Sequence, residues 1–380
     1  MKNRVFLIRN VQPDYYGGGE TYQLKMAEML RGAGFEPWVV TSSVGLLDAA
    51  KKIKVRTIRA PYFEQQNYSG WRNILLPIYY VKIMWLRRWY KRIFREFRPS
   101  VVNIQSRDDW IAATSVAKRM GIKVLWTDHM DFRSWVLVNA NVWYKGWIGK
   151  WVLRCARQAD EIIMISDYER KWFKKNVDKQ KFGNIITIKN GAEDNFAKYN
   201  KIKPTKHSFC YVGRIVEYKG IGELIKAFDV VRGVWTDAVL NIYGDGDIEK
   251  YKKIAGDGVV FHGYTNEPLK AIAENEVFVL PSYREGLSLS LIDAAMMGRK
   301  ILTTNVDGNP EVVKQNETGL LIPAKNARKL AEAMVQMIDD EKRAEEIAKN
   351  ARNYYLSNFN IDKIFAEKML PLYNIEKEKE

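Results

Sequence analysis

Cysteine is scarce, with 2 in 380 residues, Cys155 and Cys210. Two cannot make a disulfide framework, and a reducing compartment is the expectation. Long apolar runs are also missing. The first run, Val5-Phe-Leu-Ile8, is too short for the core of a signal peptide, and none reaches the roughly 20 residues of a membrane span. The sequence is therefore read as cytoplasmic. There are only 3 histidines. Internal repeats, low-complexity tracts and recognisable nucleic-acid-binding motifs are absent, which argues against a nucleic-acid partner.

What is present describes an ordinary folded protein, 47% hydrophobic and 28% charged. Its length predicts two or more domains. The net charge of +16 stands out and calls for an anionic partner. Much of it falls in residues 71–98, where eight Lys or Arg accompany one Glu. Pro77 can open a helix there and Pro99 close it. On a helical wheel Arg87, Arg88, Lys91, Arg92, Arg95 and Arg98 share one side, and Leu86, Trp89, Tyr90, Ile93, Phe94 and Phe97 the other. A basic face with aromatics is the composition of an interfacial membrane helix. Trp85, Arg87, Arg88, Trp89, Lys91, Arg92 and Arg95 are the expected lipid-facing set. A helix packed on a sheet with its basic residues merely solvated is the alternative. Residues 132–157, rich in Trp and without acid, offer a second such surface or a tryptophan-packed core.

The order along the chain is that of alternating strands and helices. Arg4–Ile8 reads as a buried strand, Tyr15–Glu20 as a glycine-rich turn, Thr21–Leu30 as a helix and Pro37–Thr41 as the next strand. That order opens a doubly wound α/β domain. Gly17, Gly18 and Gly19 suit a phosphate or acceptor site, or simply a tight turn. Lys123–Thr127 is a strand that runs into Asp128-His129, placing His129 where α/β sites form, although a lone histidine is more often structural. Residues 192–206 are polar and aperiodic and read as a linker.

The βα pattern restarts at Phe209–Val212. The loop that follows holds Arg214 and Lys219 between glycines, and two cations on one turn suit a diphosphate. The strand Val277–Leu280 leads into Pro281–Gly298, which becomes helical. Free backbone N–H groups at Leu287, Ser288, Leu289 and Ser290 suit an anion, and Gly286 permits close approach. Glu285 beside an anion site suits sugar hydroxyls. Glu285 and Asp293, just over two helical turns apart, can touch different parts of one long ligand.

These residues resemble a large family of retaining, nucleotide-sugar-dependent glycosyltransferases with the GT-B fold, of the group 1 or family 4 type. The resemblance covers nearly the whole chain. It rests on Gly213-Arg214…Lys219-Gly220, Gly244-Asp-Gly246, Glu285-Gly-Leu…Asp293, Pro310-Glu-Val-Val…Thr318-Gly-Leu-Leu321, Gly17–Gly19 and Asn190-Gly191. It implies two doubly wound Rossmann-like domains facing across a cleft, with the C-terminal helix crossing back to the first. The acceptor domain would be 1–190 plus about 357–376, the donor domain 207–356, and the linker 191–206. It further implies transfer of a hexosyl group to a lipid-linked or membrane glycan acceptor, for polysaccharide or glycolipid synthesis at the inner face of a membrane. Arg214 and Lys219 would bind the donor diphosphate. Glu285 would hold the donor sugar, with His129 facing it. Gly213, Tyr243, Gly263, Tyr264 and Gly286 to Ser290 would complete the donor site. No metal or other cofactor is implied, so Asp245-Gly-Asp247 is not read as a metal motif. The family's second acid, usually Glu and assigned to the ribose, is Asp293, one methylene shorter. A GT-B epimerase or phosphorylase, and a basic nucleic-acid-binding protein, are the rival readings.

Overall fold

The computed structural model describes residues 3–13, 17–61, 75–129, 147–177 and 185–374. The chain divides into two units, Met1–Ile188 with Phe365–Glu380, and Lys189–Ile364.

In the first unit the strands are β1 (Arg4–Arg9), β2 (Glu36–Thr41), β3 (Arg56–Arg59), β4 (Val101–Ile104), β5 (Lys123–Asp128), β6 (Glu161–Met164) and β7 (Ile185–Thr187). They pair in parallel in the order β3-β2-β1-β4-β5-β6-β7. Helices α1 (Gly18–Gly32), α2 (Val44–Lys52), α3 (Leu76–Phe97), α4 (Arg107–Arg119), α5 (Trp147–Ala156) and α6 (Asp167–Asn176) connect them. Val5 to Ile8 are fully buried because helices cover both faces of such a sheet, which is why its strands are continuous apolar runs. The core on one side gathers Phe6, Trp38, Tyr90, Phe94, Trp110 and Trp126. The C-terminal segment returns to this unit, where the Asn103 amide donates to the Tyr373 hydroxyl at 2.6 Å.

The second unit repeats the plan. Its strands are β8 (Thr205–Val212), β9 (Val239–Tyr243), β10 (Val259–Gly263), β11 (Asn275–Leu280), β12 (Lys300–Thr304) and β13 (Leu320–Ile322), in the order β10-β9-β8-β11-β12-β13. Its helices are α7 (Phe196–Tyr199), α8 (Ile221–Val234), α9 (Ile248–Lys252), α10 (Pro268–Ala273), α11 (Leu289–Met296), α12 (Asn309–Val312), α13 (Ala327–Asp339), α14 (Glu341–Asn358) and α15 (Ile361–Ile364).

Three expectations need correcting. Residues 191–206 are part of the second unit rather than a linker. Ala192 bridges to Asn360: its N–H donates to Phe359 O, and its carbonyl accepts from Ile361 N–H and the Tyr355 hydroxyl. Local composition hid this because the partners come from the far end of the chain. For the same reason the return to the first unit begins at Phe365 rather than near 357. The glycine turn is also mostly helix, since α1 starts at Gly18 with Gly17 as its cap.

Candidate active site

Each sheet reverses its strand order once, between β1 and β4 in the first unit and between β8 and β11 in the second. Ligand sites of open α/β sheets form at the strand C-termini beside such reversals. In the second unit β8 delivers Gly213-Arg214 there and β11 delivers Ser282 to Glu285. The two loops are pressed together at Gly220, which has φ +73. A Cβ on Gly220 would lie 2.2 Å from Pro281 O, so no larger residue fits. That contact brings Lys219 Nζ within 2.5 Å of Glu285 Oε1, which also accepts from Ser282 Oγ at 2.7 Å. Both side chains of the pair are largely buried. Asp307 Oδ2 accepts the Glu285 N–H at 3.0 Å and ties the same turn to the loop after β12.

Tyr218 holds the cations together. Arg214 donates to its hydroxyl, and the charges of Arg284, Lys219 and Arg214 lie 4.8, 5.7 and 5.9 Å from its ring centroid. Charges over an aromatic face are attracted to it, and the ring holds them in place. Arg284 Nε is buried and has no hydrogen-bond partner among the described residues. Lys219 pairs with Glu285, and Arg214 and Arg284 add two further cations beside the same ring.

The next helix, α11, begins beside these loops. Ser288 caps α11 by accepting from Leu291 N–H, and Ser288 Oγ and Ser290 Oγ are 3.0 Å apart. The amides of the first turn have no partner within the helix. Asn190 reaches this turn, donating to Leu287 O at 3.4 Å. Asp293 lies one turn into α11, half-buried, and burial pushes its carboxyl up to about 7. Gly263 ends β10 and leaves Tyr264 exposed. Tyr243 is a correction. Its ring stacks on His262 at 4.3 Å, and its hydroxyl lies toward Asn275, the first residue of β11. The side chain therefore runs back along the sheet, and only its carbonyl, which accepts Gly213 N–H, meets the site loops.

In the first unit the reversal is lined differently. Arg9, at the end of β1, donates to Glu20 Oε1 at 2.6 Å, and Glu20 Oε2 accepts the Gly17 N–H at 2.9 Å. Arg9 lies over Gly19, where a Cβ would be 2.5 Å from its guanidinium. His129 follows β5, with Nε2 3.1 Å from Gln105 Oε1 and Tyr22 edge-on at 5.2 Å. Burial, and then the charge of Arg9, push the His129 pKa down to about 3. The ring is neutral at physiological pH and keeps one nitrogen for a further hydrogen bond. Gly19 and His129 both lie beside Arg9 at the end of β1. Arg9, Glu20 and Gln105 were not anticipated, although Glu20, three residues after Gly17, is a capping signal.

Comparison with known proteins identifies the family. The family model for glycosyl transferases group 1 matches residues 192–354, and that for glycosyltransferase family 4 matches 16–196. The chain belongs to the group 1 glycosyltransferases. It is 27% identical over 240 residues to an uncharacterised glycosyltransferase of Methanocaldococcus jannaschii, covering 59% of this chain and 60% of that one. It is 30% identical over 184 residues to the capsular polysaccharide biosynthesis glycosyltransferase CapM of Staphylococcus aureus, covering 47% and 48%. The matches thus span about half to three-fifths of these curated relatives. Anabaena HepE, solved with UDP-glucose, superposes with TM-score 0.76 over 98% of this chain and 100% of its own at 14% identity. The fold is that of the GT-B glycosyltransferases.

In this group 1 chain the basic helix α3 presents two surfaces. Tyr79, Ile83, Leu86, Tyr90, Ile93 and Phe94 are buried. Two residues of the expected lipid-facing set do not face outward. Arg87 donates to Ser115 Oγ and lies 5.9 Å from the Trp151 ring, while Trp89 packs on the core. Both flank the buried stripe, which claims the stems of long side chains. The outward stripe runs Ile78, Val81, Trp85, Arg88, Arg92, Arg95, apolar first and then cationic, and Lys91 is also exposed. The second aromatic stretch lies outside the described residues up to 146. Beyond it, Trp147 is 84% exposed and Trp151 stacks on Tyr80 at 5.7 Å. Among the described residues no helix is long and apolar enough to cross a membrane.

Proposed function

We propose that the chain transfers a hexosyl group from a nucleoside diphosphate sugar to a lipid-linked or membrane glycan acceptor, with retention of configuration. The observation that carries this is the cation cluster on Tyr218, set against Glu285 and the start of α11. A diphosphate needs several fixed positive groups, and a hexose needs a buried carboxylate as a hydroxyl acceptor. Arg214, Arg284 and the α11 amides would hold the diphosphate, with Lys219 bridging to Glu285. Glu285 Oε2, which has no recorded partner among the described residues, would accept from the sugar. The bond from the anomeric carbon to the phosphate oxygen breaks, and the negative charge grows on that oxygen. Fixed cations stabilise this charge more in the transition state than in the substrate, an effect worth several kcal/mol. The acceptor oxygen bonds the anomeric carbon from the same face, and its proton passes to the departing phosphate. Neutral His129, whose Nε2–H faces Gln105 Oε1, would accept a hydrogen bond from a sugar hydroxyl at Nδ1. This scheme needs no metal ion, so activity should survive chelation. UDP-hexoses are the first donors to try, since the fold relative HepE holds UDP-glucose.

The outward stripe of α3 supports a peripheral site on the inner face of a membrane. Apolar and aromatic residues beside clustered arginines suit anionic lipid. Vesicles containing phosphatidylglycerol should bind the chain, and an Arg88→Glu, Arg92→Glu, Arg95→Glu variant should lose that binding. An oligonucleotide at equal charge should not displace the vesicles; displacement would favour a nucleic-acid partner. The enzymatic reading is tested by release of nucleoside diphosphate from a panel of nucleotide sugars, with and without lipid-linked saccharide. Release that needs inorganic phosphate instead of an acceptor would favour a phosphorylase.

A further inference from the structure

The opposite edge of the second sheet holds a cavity of about 440 Å³, lined from the starts of β8, β11 and β12 and from α14. That size is within the range of small-molecule pockets. Two arginines meet there. Arg352 of α14 is fixed in place: its guanidinium donates to Asp194 Oδ2 at 2.6 Å and lies 4.6 Å from the Phe196 ring centroid. Its second terminal nitrogen, Nη1, is buried without a hydrogen-bond partner among the described residues. Arg299 follows α11 through Gly298, and a Cβ on Gly298 would lie 3.5 Å from Arg352 Cβ, so the two arginines are neighbours. Arg299 Nε is likewise buried without a partner among the described residues. It is not needed to finish the helix, because the Ala294 and Ala295 carbonyls already accept from the N–H groups of Arg299 and Gly298.

The other charges do not fill this need. Lys300 Nζ is taken by Glu276 Oε1 at 2.5 Å and by Met337 O at 3.2 Å. Lys206 and Lys349 are exposed at the mouth, as are Glu341 and Glu345. With Asp194, which holds Arg352, five cations meet four carboxylates, and two of those carboxylates are already engaged, by Lys300 and Arg352. A buried N–H group left without an acceptor is unfavourable. Arg299 and Arg352 both line the cavity, and a guanidinium binds an oxyanion through paired hydrogen bonds from those of its N–H groups that face the open space.

We propose that this cavity is a second anion site, separate from the strand-end site, that takes a phosphomonoester of sugar-phosphate size. Inorganic phosphate is the probe. Calorimetric titration of the full chain is made in an Arg214→Ala background, which weakens phosphate binding at the strand ends. This variant should still bind phosphate. Adding Arg299→Gln, or Lys349→Glu at the exposed mouth, should lower the affinity tenfold or more. The mouth variant keeps the test valid if the buried one folds poorly. No phosphate binding in the Arg214→Ala protein, or an affinity unchanged by both additions, would overturn the proposal.

Discussion

The two units share one strand order and place their polar residues at the same reversal, yet they treat charge in opposite ways. In the second unit the reversal is cationic. Arg214 is exposed and bonded to Tyr218, Arg284 stands over the same ring, and Lys219 pairs with Glu285. In the first unit the charges cancel locally. Arg9 is held by Glu20, and the ring beside them, His129, is neutral. One scaffold thus carries a site fit for a polyanion and another fit for hydroxyl groups. The difference lies in a few loop residues, and the strands are alike.

The comparison breaks first at Arg214. Arg214→Ala should lower kcat/KM for the nucleotide sugar by about 10²–10³, the usual effect of removing one preorganised charge-stabilising donor. Because Arg214 is exposed, the melting temperature should barely move. Lys219→Ala should lower activity as strongly and also destabilise the fold by about 3 kcal/mol, since it leaves Glu285 buried without its partner. Denaturant titration separates the two. Arg284→Ala should weaken nucleoside diphosphate binding by about tenfold, a cost of about 1.4 kcal/mol.

The first unit answers to different tests. His129→Ala should reduce turnover. In wild type, though, no rate change between pH 5 and 8 should trace to His129, because its pKa lies near 3. Comparing the pH–rate profiles of wild type and His129→Gln checks this. Glu20→Gln should destabilise the fold by breaking the Arg9 pair, while leaving nucleotide binding intact. The smallest effect concerns Asp293. Its folded pKa, about 7, lies above the ordinary carboxylate value, so the native state holds an extra proton between about pH 4 and 7. Stability should therefore fall as pH rises through that window. Asp293→Asn should flatten that slope and stabilise the chain at pH 8 by about 2 kcal/mol, after allowing for partial exposure.

Much of this was legible in the sequence. Buried parallel strands announce themselves as apolar runs, and Gly213-Arg214…Lys219-Gly220 and Glu285–Asp293 mark the loops that follow them. Arg284 was not legible, although it stands next to Glu285. Its meaning comes from the Tyr218 ring, brought over by the contact of Gly220 with Pro281 O. Trp89 was read as lipid-facing, yet it is three residues from Leu86 and sits beside the buried stripe. Tyr243 stands at a strand end, but its side chain leaves the site, since strand position does not say which way a long ring reclines. The membership of 191–206 depended on Asn360, which no local pattern could reveal.

The central claim is that the Tyr218 cation cluster binds the diphosphate of a sugar donor. The most direct measurement is titration of wild type, Arg214→Ala and Arg284→Ala with a nucleoside diphosphate, its monophosphate and its nucleoside. The account expects both variants to weaken the diphosphate at least tenfold, the monophosphate less, and the nucleoside hardly at all. Equal diphosphate affinity in all three proteins would contradict it.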